Sequence, residues 1–326
     1  MKIQSFYLNH PNTLRDHLAK SYRIEPPQAA PGQNTPPLVS PKGQLFAEHE
    51  NLFTFDGECF RETLPNPEPF ALFGVQSCDL TAISYQDQFF ANDPYYQARR
   101  QQALLIGIDC LSPCQHGFCP SVNAGPGVKH ETADLILHQL STTSWLLLAC
   151  NQKGLGALEG LSLNPANQPE LNDRDDRIAS CIEQFSDDSH LKQGITAINQ
   201  NQVPEDLWQQ LGLQCLSCSG CTSLCPTCSC YGTWEQQESN GDIRRQRFWD
   251  SCLYESFQRE ASQHNPTEKA GERVKRFWTH KFGDNFAKEF GRYGCVGCGR
   301  CEVTCPGVIG VHSVMKRISS DAQLDN

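Results

Sequence analysis

Two stretches of the chain repeat one spacing of cysteines: Cys215-Leu-Ser-Cys218-Ser-Gly-Cys221-Thr-Ser-Leu-Cys225-Pro226 and Cys295-Val-Gly-Cys298-Gly-Arg-Cys301-Glu-Val-Thr-Cys305-Pro306. Both read C-x2-C-x2-C-x3-C-P. A [4Fe–4S] cubane presents four iron corners, and gaps of two residues let one tight loop place three thiolates on three of them. Small residues at Ser219, Gly220, Gly297 and Gly299 let backbone N–H groups come close to the cluster sulfurs. Proline after the fourth cysteine turns the chain away. Zinc sites pair two C-x2-C knuckles and do not call for a third and fourth cysteine at this spacing. Its occurrence twice sets coincidence aside.

In compact two-cluster ferredoxins the fourth cysteine of each motif serves the other cluster. The pattern therefore favours Cys225 on the second cluster and Cys305 on the first. The 69 residues between Cys225 and Cys295 leave unswapped sets as the alternative.

Eighteen cysteines in 326 residues also need an explanation beyond disulfides, because a chain this long buries a core without covalent staples. The start, MKIQSFYLNHPNTLRDHLAK, has no basic stretch followed by an apolar one and a small-residue cleavage site, so a cytoplasmic protein is expected. Apolar runs such as WLLLAC at 145–150 are far shorter than the ~20 residues that cross a bilayer, and no transmembrane segment is expected. With 27 basic against 37 acidic residues the net charge is −10, which repels polyanions, so no nucleic acid is expected as a ligand. Arg244, Arg245 and Arg247, and the run from Arg273 to Lys281, read as solvated helix faces or a docking patch.

Residues 22–43 hold six prolines without apolar periodicity and read as an extended surface segment. From 68 to 150, PFALFGVQSCD, ALLIGIDC, ADLILHQL and SWLLLAC read as strands, with LTAISYQDQFF and DPYYQARRQQ as helices between them. Residues 173–200 read as helical, with Ile178, Ile182 and Phe185 on one face. PEDLWQQLGLQ opens a further helix with acidic residues in its first turn. In the insertion, QRFWDSCLYESFQREA and EKAGERVKRFWTHKF are the helical candidates. The expected fold class is α+β: an N-terminal α/β domain, then a mostly helical two-cluster ferredoxin-like domain with a long insertion between its motifs. The segments are 1–44 with the proline-rich stretch, 45–202 as scaffold and docking domain, and 203–326 as the cluster domain.

The remaining cysteines form two looser groups. Cys78 and Cys110 end strand candidates beside the loop that carries Cys114 and Cys119, while Cys228 and Cys230 follow the first motif and Cys252 lies further on. Either group reads as ligands of a third cluster or as buried, chemically idle thiols. No flavin or nicotinamide site is legible: Gly154-Leu-Gly156 lacks a complete G-x-G-x-x-G and its distal acid, and GPG at 125–127 is a turn. His264 and His280 read as surface or packing residues, and no local motif marks a catalytic nucleophile.

Read together, FGVQSCDLTAI, DPYYQARR, LLIGIDC followed by FCPS, CLSCSGCTSLCPTCSCY, FWDSC, HNP with RVKRFWTHKF, and RYGCVGCGRCEVTCP resemble the beta, iron–sulfur subunit of cytoplasmic sulfhydrogenase-type [NiFe] hydrogenases. The corresponding electron-transfer subunit of anaerobic sulfite reductase belongs to the same family. The pieces run in family order from 73 to 306. The resemblance implies a non-catalytic electron-transfer subunit. Its partners would be a subunit binding FAD and NAD(P) and either the small and large subunits of a hydrogenase or a sirohaem sulfite reductase subunit. It also implies cysteines matching Cys78, Cys110, Cys119, Cys228, Cys230 and Cys252. Where the family commonly has CFC this chain has Gly117-Phe118-Cys119, so either Cys114 compensates or that site is lost. A rival reading makes the chain itself a sulfur or polysulfide reductase acting through the extra cysteines.

Overall fold

The computed structural model describes residues 3–25 and 36–321. The elements are, in order, β1 (Gln4–Leu8), α1 (Pro11–Leu18), β2 (Arg23–Glu25), β3 (His49–Phe55), β4 (Phe60–Glu62), β5 (Phe70–Gln76), α2 (Ser77–Phe89), α3 (Pro94–Gln102) and β6 (Ala103–Ile108). There follow β7 (Leu135–Ser141), β8 (Ser144–Ala149), α4 (Gln152–Gly156), β9 (Asn164–Pro165), α5 (Gln168–Glu183), α6 (Ser189–Asn199) and α7 (Glu205–Gln214). The last are α8 (Gly220–Ser223), β10 (Tyr231–Gln237), β11 (Ile243–Trp249), α9 (Ala270–Phe282), α10 (Asp284–Phe290), α11 (Arg300–Thr304) and α12 (Val311–Asp321). An α/β region precedes a mostly helical one, as expected. Among the described residues no helix is long and apolar enough to cross a membrane.

Two compact units emerge, and they do not follow the chain linearly. One comprises Met1–Leu45, Pro65–Ser186 and Val296–Cys298, the other Phe46–Leu64, Asp187–Cys295 and Gly299–Asn326.

The first unit is built on a seven-stranded sheet in the order β2-β5-β6-β7-β8-β1-β9. Strands β2, β5, β6 and β7 run parallel, and β7-β8, β8-β1 and β1-β9 are antiparallel. Every residue of β5 and β6 is buried, as continuous apolar runs covered on both faces require. Ile106, Leu137 and Leu147 pack with Leu14 and Leu18 of α1 in the core on one side of the sheet. Helix α5 begins at a capping box in which Asn167 and Glu170 serve each other's backbone N–H groups. At the carboxyl end of β6 the buried Asp109 receives Arg174 Nε of α5 at 2.7 Å, lies 3.0 Å from His138 Nδ1 and accepts from Val128 N at 2.6 Å.

The second unit carries the antiparallel sheet β10-β11-β3-β4. Arg247 of β11 and Glu50 of β3 form a buried ion pair, with the guanidinium 5.4 Å from the Phe46 ring. Elsewhere in this unit α7 crosses α9 at glycines. A Cβ on Gly212 would lie 2.3 Å from Gly271 N, so the two backbones are in contact. Trp208, Leu211, Val274, Phe277 and Trp278 are buried on these helices, and Gly194 of α6 receives Met315 of α12.

Three local expectations are corrected. QRFWDSCLYESFQREA is not a helix: its first part is β11, paired on both sides by β10 and β3, followed by a turn and the 3-10 segment Glu255–Gln258. Residues 173–200 form two helices, because Asp187 accepts from the N and Oγ of Ser189 and starts α6 anew; Ile182 is exposed. The basic pieces are not solvated helix faces throughout, since Arg244, Arg245 and Arg247 lie on a strand and Arg247, Arg273 and Lys281 are buried. The proline-rich expectation falls in part on 26–35, outside the described residues; Pro41–Gln44 is a 3-10 turn.

Candidate metal centres

Each motif folds into the same local shape. Residues Ser217 and Ser219 have φ of 50° and 60°, and their counterparts Gly297 and Gly299 have 65° and 74°. These left-handed residues bracket the second cysteine, Cys218 or Cys298, and a short helix, α8 or α11, then carries the third, Cys221 or Cys301. Glycine takes this backbone without strain; serine holds it at a cost of about 1 kcal/mol. Gly220 serves another purpose, because a Cβ there would stand 3.1 Å from Thr304 Oγ1, where α8 packs on α11.

A pocket in the second unit is lined by Cys215, Cys218 and Cys221 of the first motif together with Cys305 of the second. Leu253, Val274, Phe277, Trp278 and Ile309 supply apolar walls. Burial, then the neighbouring thiols Cys215, Cys305, Cys225 and Cys218, push the Cys221 thiol up to about 12. Thiols gathered in this way give up their protons to a metal that binds them. Helix α7 delivers Cys215 as its C-cap, so the Gly212–Gly271 contact sets the entry to this cavity.

Cys225 faces elsewhere. Its Sγ lies 3.2 Å from Thr227 Oγ1 and receives Lys281 Nζ at 3.4 Å. Thr227 donates in turn to the carbonyl of Gly294, the residue before Cys295, at 2.8 Å, and Arg292 Nη2 holds the Cys295 carbonyl at 3.1 Å. A hydrogen bond from Cys228, outweighing burial, and the Lys281 charge hold the Cys225 thiol well below its usual range. Cys230 is lowered by its hydrogen bond with Cys252 and by Lys281 and Arg276, so this pair shares a proton beside two cations. Cys252 lies in the turn after β11, not on a helix, fixed by Arg276 on its carbonyl and Arg273 Nε on that of Leu253 at 3.0 Å.

The other cysteine group lies in the first unit. Cys78 occupies the second position of α2 and Cys110 follows β6; each stands two residues beyond the registered pair Gln76 and Ile108 of adjacent parallel strands. Cys114 lies in the loop that follows and Cys119 opens the 3-10 turn Cys119–Val122. A Cβ on Gly117 would lie 3.0 Å from Cys114 Cβ, so Cys114 fills the space from which a side chain at 117 would start. Sequence reasoning missed Cys181, fully buried on α5, whose charge acts on Cys110 and Cys119. The signal that could have marked it is its i+7 spacing from Arg174. Lys281 and Thr227 were also passed over. Among the described residues no three or more His, Cys, Asp or Glu side chains close on a point as the ligands of a single ion do.

Residues 214–309 match the family model described as a 4Fe-4S dicluster domain. The chain is also similar to a curated protein, sulfhydrogenase 2 subunit beta of Pyrococcus furiosus. The two are 31% identical over 285 residues, covering 83% of this chain and 78% of the relative. No solved structure matches the chain.

Proposed function

We propose, for a chain that belongs to the family of sulfhydrogenase beta subunits, that it is the electron-transfer subunit of a multi-subunit [NiFe] hydrogenase of the sulfhydrogenase type. The observation that carries this reading is the pair of four-cysteine motifs with one local geometry. In this reading two cubanes are held, one on Cys215, Cys218, Cys221 and Cys305, the other on Cys225, Cys295, Cys298 and Cys301. Bound there, [4Fe–4S] clusters supply one-electron oxidation and reduction without making or breaking substrate bonds.

What the chain's own residues contribute is positioning, apolar walls and charge. Thiols on short helices hold fixed corners, and Trp278, Phe277 and Val274 wall one side of the first site. Lys281, 4% exposed, keeps a positive charge against Cys225, which favours the more negative, reduced state of whatever that thiolate binds. The flavin and NAD(P) site and the hydrogen-converting site belong, in this reading, to partner subunits.

One observation favours a second reading. The hydrogen-bonded Cys230–Cys252 pair beside Lys281 and Arg276 has the electropositive setting of a reactive thiol, which would suit sulfur or polysulfide reduction by the chain itself. Polysulfide reduction by the isolated chain with an artificial electron donor, lost in Cys230→Ser, would support that reading. Purification from native cells under anaerobic conditions tests the leading one. A flavoprotein and a nickel-containing large subunit should accompany the chain. A sirohaem subunit would instead assign it to sulfite reduction, and no redox partner would overturn both complexes.

A further inference from the structure

Four cysteines outside the repeated motifs converge in the first unit. On α5, Arg174 Nη2 donates to Asp109 Oδ1 at 3.1 Å and to the Val128 carbonyl at 3.0 Å. One turn on, Ile178 packs against Gly127, where a Cβ would lie 2.7 Å from its Cδ1. Cys181 is the next residue on that face and is fully buried. The segment that α5 covers is the one that holds the other thiols: Cys110 N donates to the Pro126 carbonyl at 3.2 Å and Ala124 N to the Cys119 carbonyl at 2.8 Å. Gly125 leaves the backbone bare beside Cys119, since a Cβ there would stand 3.0 Å from its Sγ. Gly117 does the same beside Cys114, to whose carbonyl it donates at 3.1 Å.

Buried cysteines often act as small apolar residues of a core. Three of these are placed otherwise: Cys110, Cys114 and Cys119 follow the carboxyl end of parallel β6, where ligands of open α/β sheets bind. The four are close enough to interact: Cys110 is influenced by Cys114 and Cys181, and Cys119 by Cys110, Cys114 and Cys181. Thiols around one zinc ion stand about 2.3 Å from it, a closeness found for no three such ligands among the described residues. A cubane takes its thiolates on four separate corners and accepts a wider set.

We propose that Cys110, Cys114, Cys119 and Cys181 ligate a third [4Fe–4S] cluster. Within the same unit Phe118, between Cys114 and Cys119, donates to the carbonyl of Gly297 at 2.8 Å and ties down the loop that carries two of these ligands. Asp109 and Arg174 are positioning residues that fix Cys110 and Cys181 to each other.

Iron and acid-labile sulfide per full chain, purified anaerobically, test this together with EPR of the reduced protein. The wild type should hold about twelve irons, and Cys181→Ser and Cys114→Ser should each hold about eight with one paramagnetic signal gone and the others unchanged. Cys150→Ser, beyond β8, should keep all. A wild type with about eight irons, loss in Cys78→Ser but not in Cys181→Ser, or one zinc in place of four irons overturns the proposal while leaving the two motif clusters standing. A chain without iron overturns those as well. Should Cys181→Ser fail to fold by circular dichroism, Cys114→Ser in the loop decides alone.

Discussion

In the proposed arrangement Cys305 and Cys225 carry the exchange between motifs. Cys305 lines the cavity with Cys215, Cys218 and Cys221, whereas Cys225 turns to Thr227 and Lys281 on the side of Gly294. The double variant Cys215→Ser/Cys305→Ser should therefore lose about four irons, as one damaged cubane requires; loss of about eight would show that each motif keeps its own fourth cysteine. Lys281→Met should lower the potential of the cluster on Cys225 by some tens of millivolts in an EPR-monitored titration, since a cation and N–H donor beside a ligand favours reduction. An unchanged potential would separate Lys281 from that cluster. The dicluster domain was legible because its cysteine spacing is local in the chain. Cys181 was not, because it reaches the other thiols only through the packing of α5, and Lys281 reaches Cys225 only through that of α9.

Helices and strands were legible where the pattern is intrinsic to the segment. The buried runs of β5, β6 and β8 and the amphipathic α7 and α9 stand where periodicity puts them. β11 was misread because its pairing with β3, almost 200 residues away, decides its state, with Arg247 drawn to Glu50. The helix crossing at Gly212 and Gly271 was equally hidden, since small residues signal nothing until two backbones meet. Gly212→Leu should force α7 off α9, costing roughly 1–3 kcal/mol or more in denaturant unfolding and disturbing the cluster signal that depends on Cys215. Arg174→Met, which takes the guanidinium from the buried Asp109, should cost about 3–5 kcal/mol by the same measurement. Where α6 meets α12, His190 Nε2 lies 3.0 Å from His312 Nδ1. Burial, then the charges of His312 and Lys316, lower the His190 pKa. An unfolded imidazole binds its proton near 6.5, so this contact contributes fully above about pH 6.5 and weakens as pH falls toward the folded value. An NMR titration of His190 should find its midpoint below that of a free imidazole; a midpoint at or above it would contradict the packing described.

The molecule as a whole divides its chemistry between two units interleaved along the chain. The order of strands in the seven-stranded sheet and the pairing of 46–64 with the insertion arise from long-range contacts that no local pattern encodes. The repeated motifs point to a pair of ligand sets; the structure adds Cys305 to the pocket lined by Cys215, Cys218 and Cys221. A net charge of −10 leaves docking to local patches and apolar surface rather than to a general attraction for polyanions. The account rests on two redox-active cubanes held by the repeated motifs. An EPR-monitored reductive titration of the anaerobic full chain tests this most directly. It should reveal at least two one-electron centres, one abolished by Cys218→Ser and the other by Cys301→Ser. A colourless protein with zinc and no paramagnetic signal on reduction would contradict it.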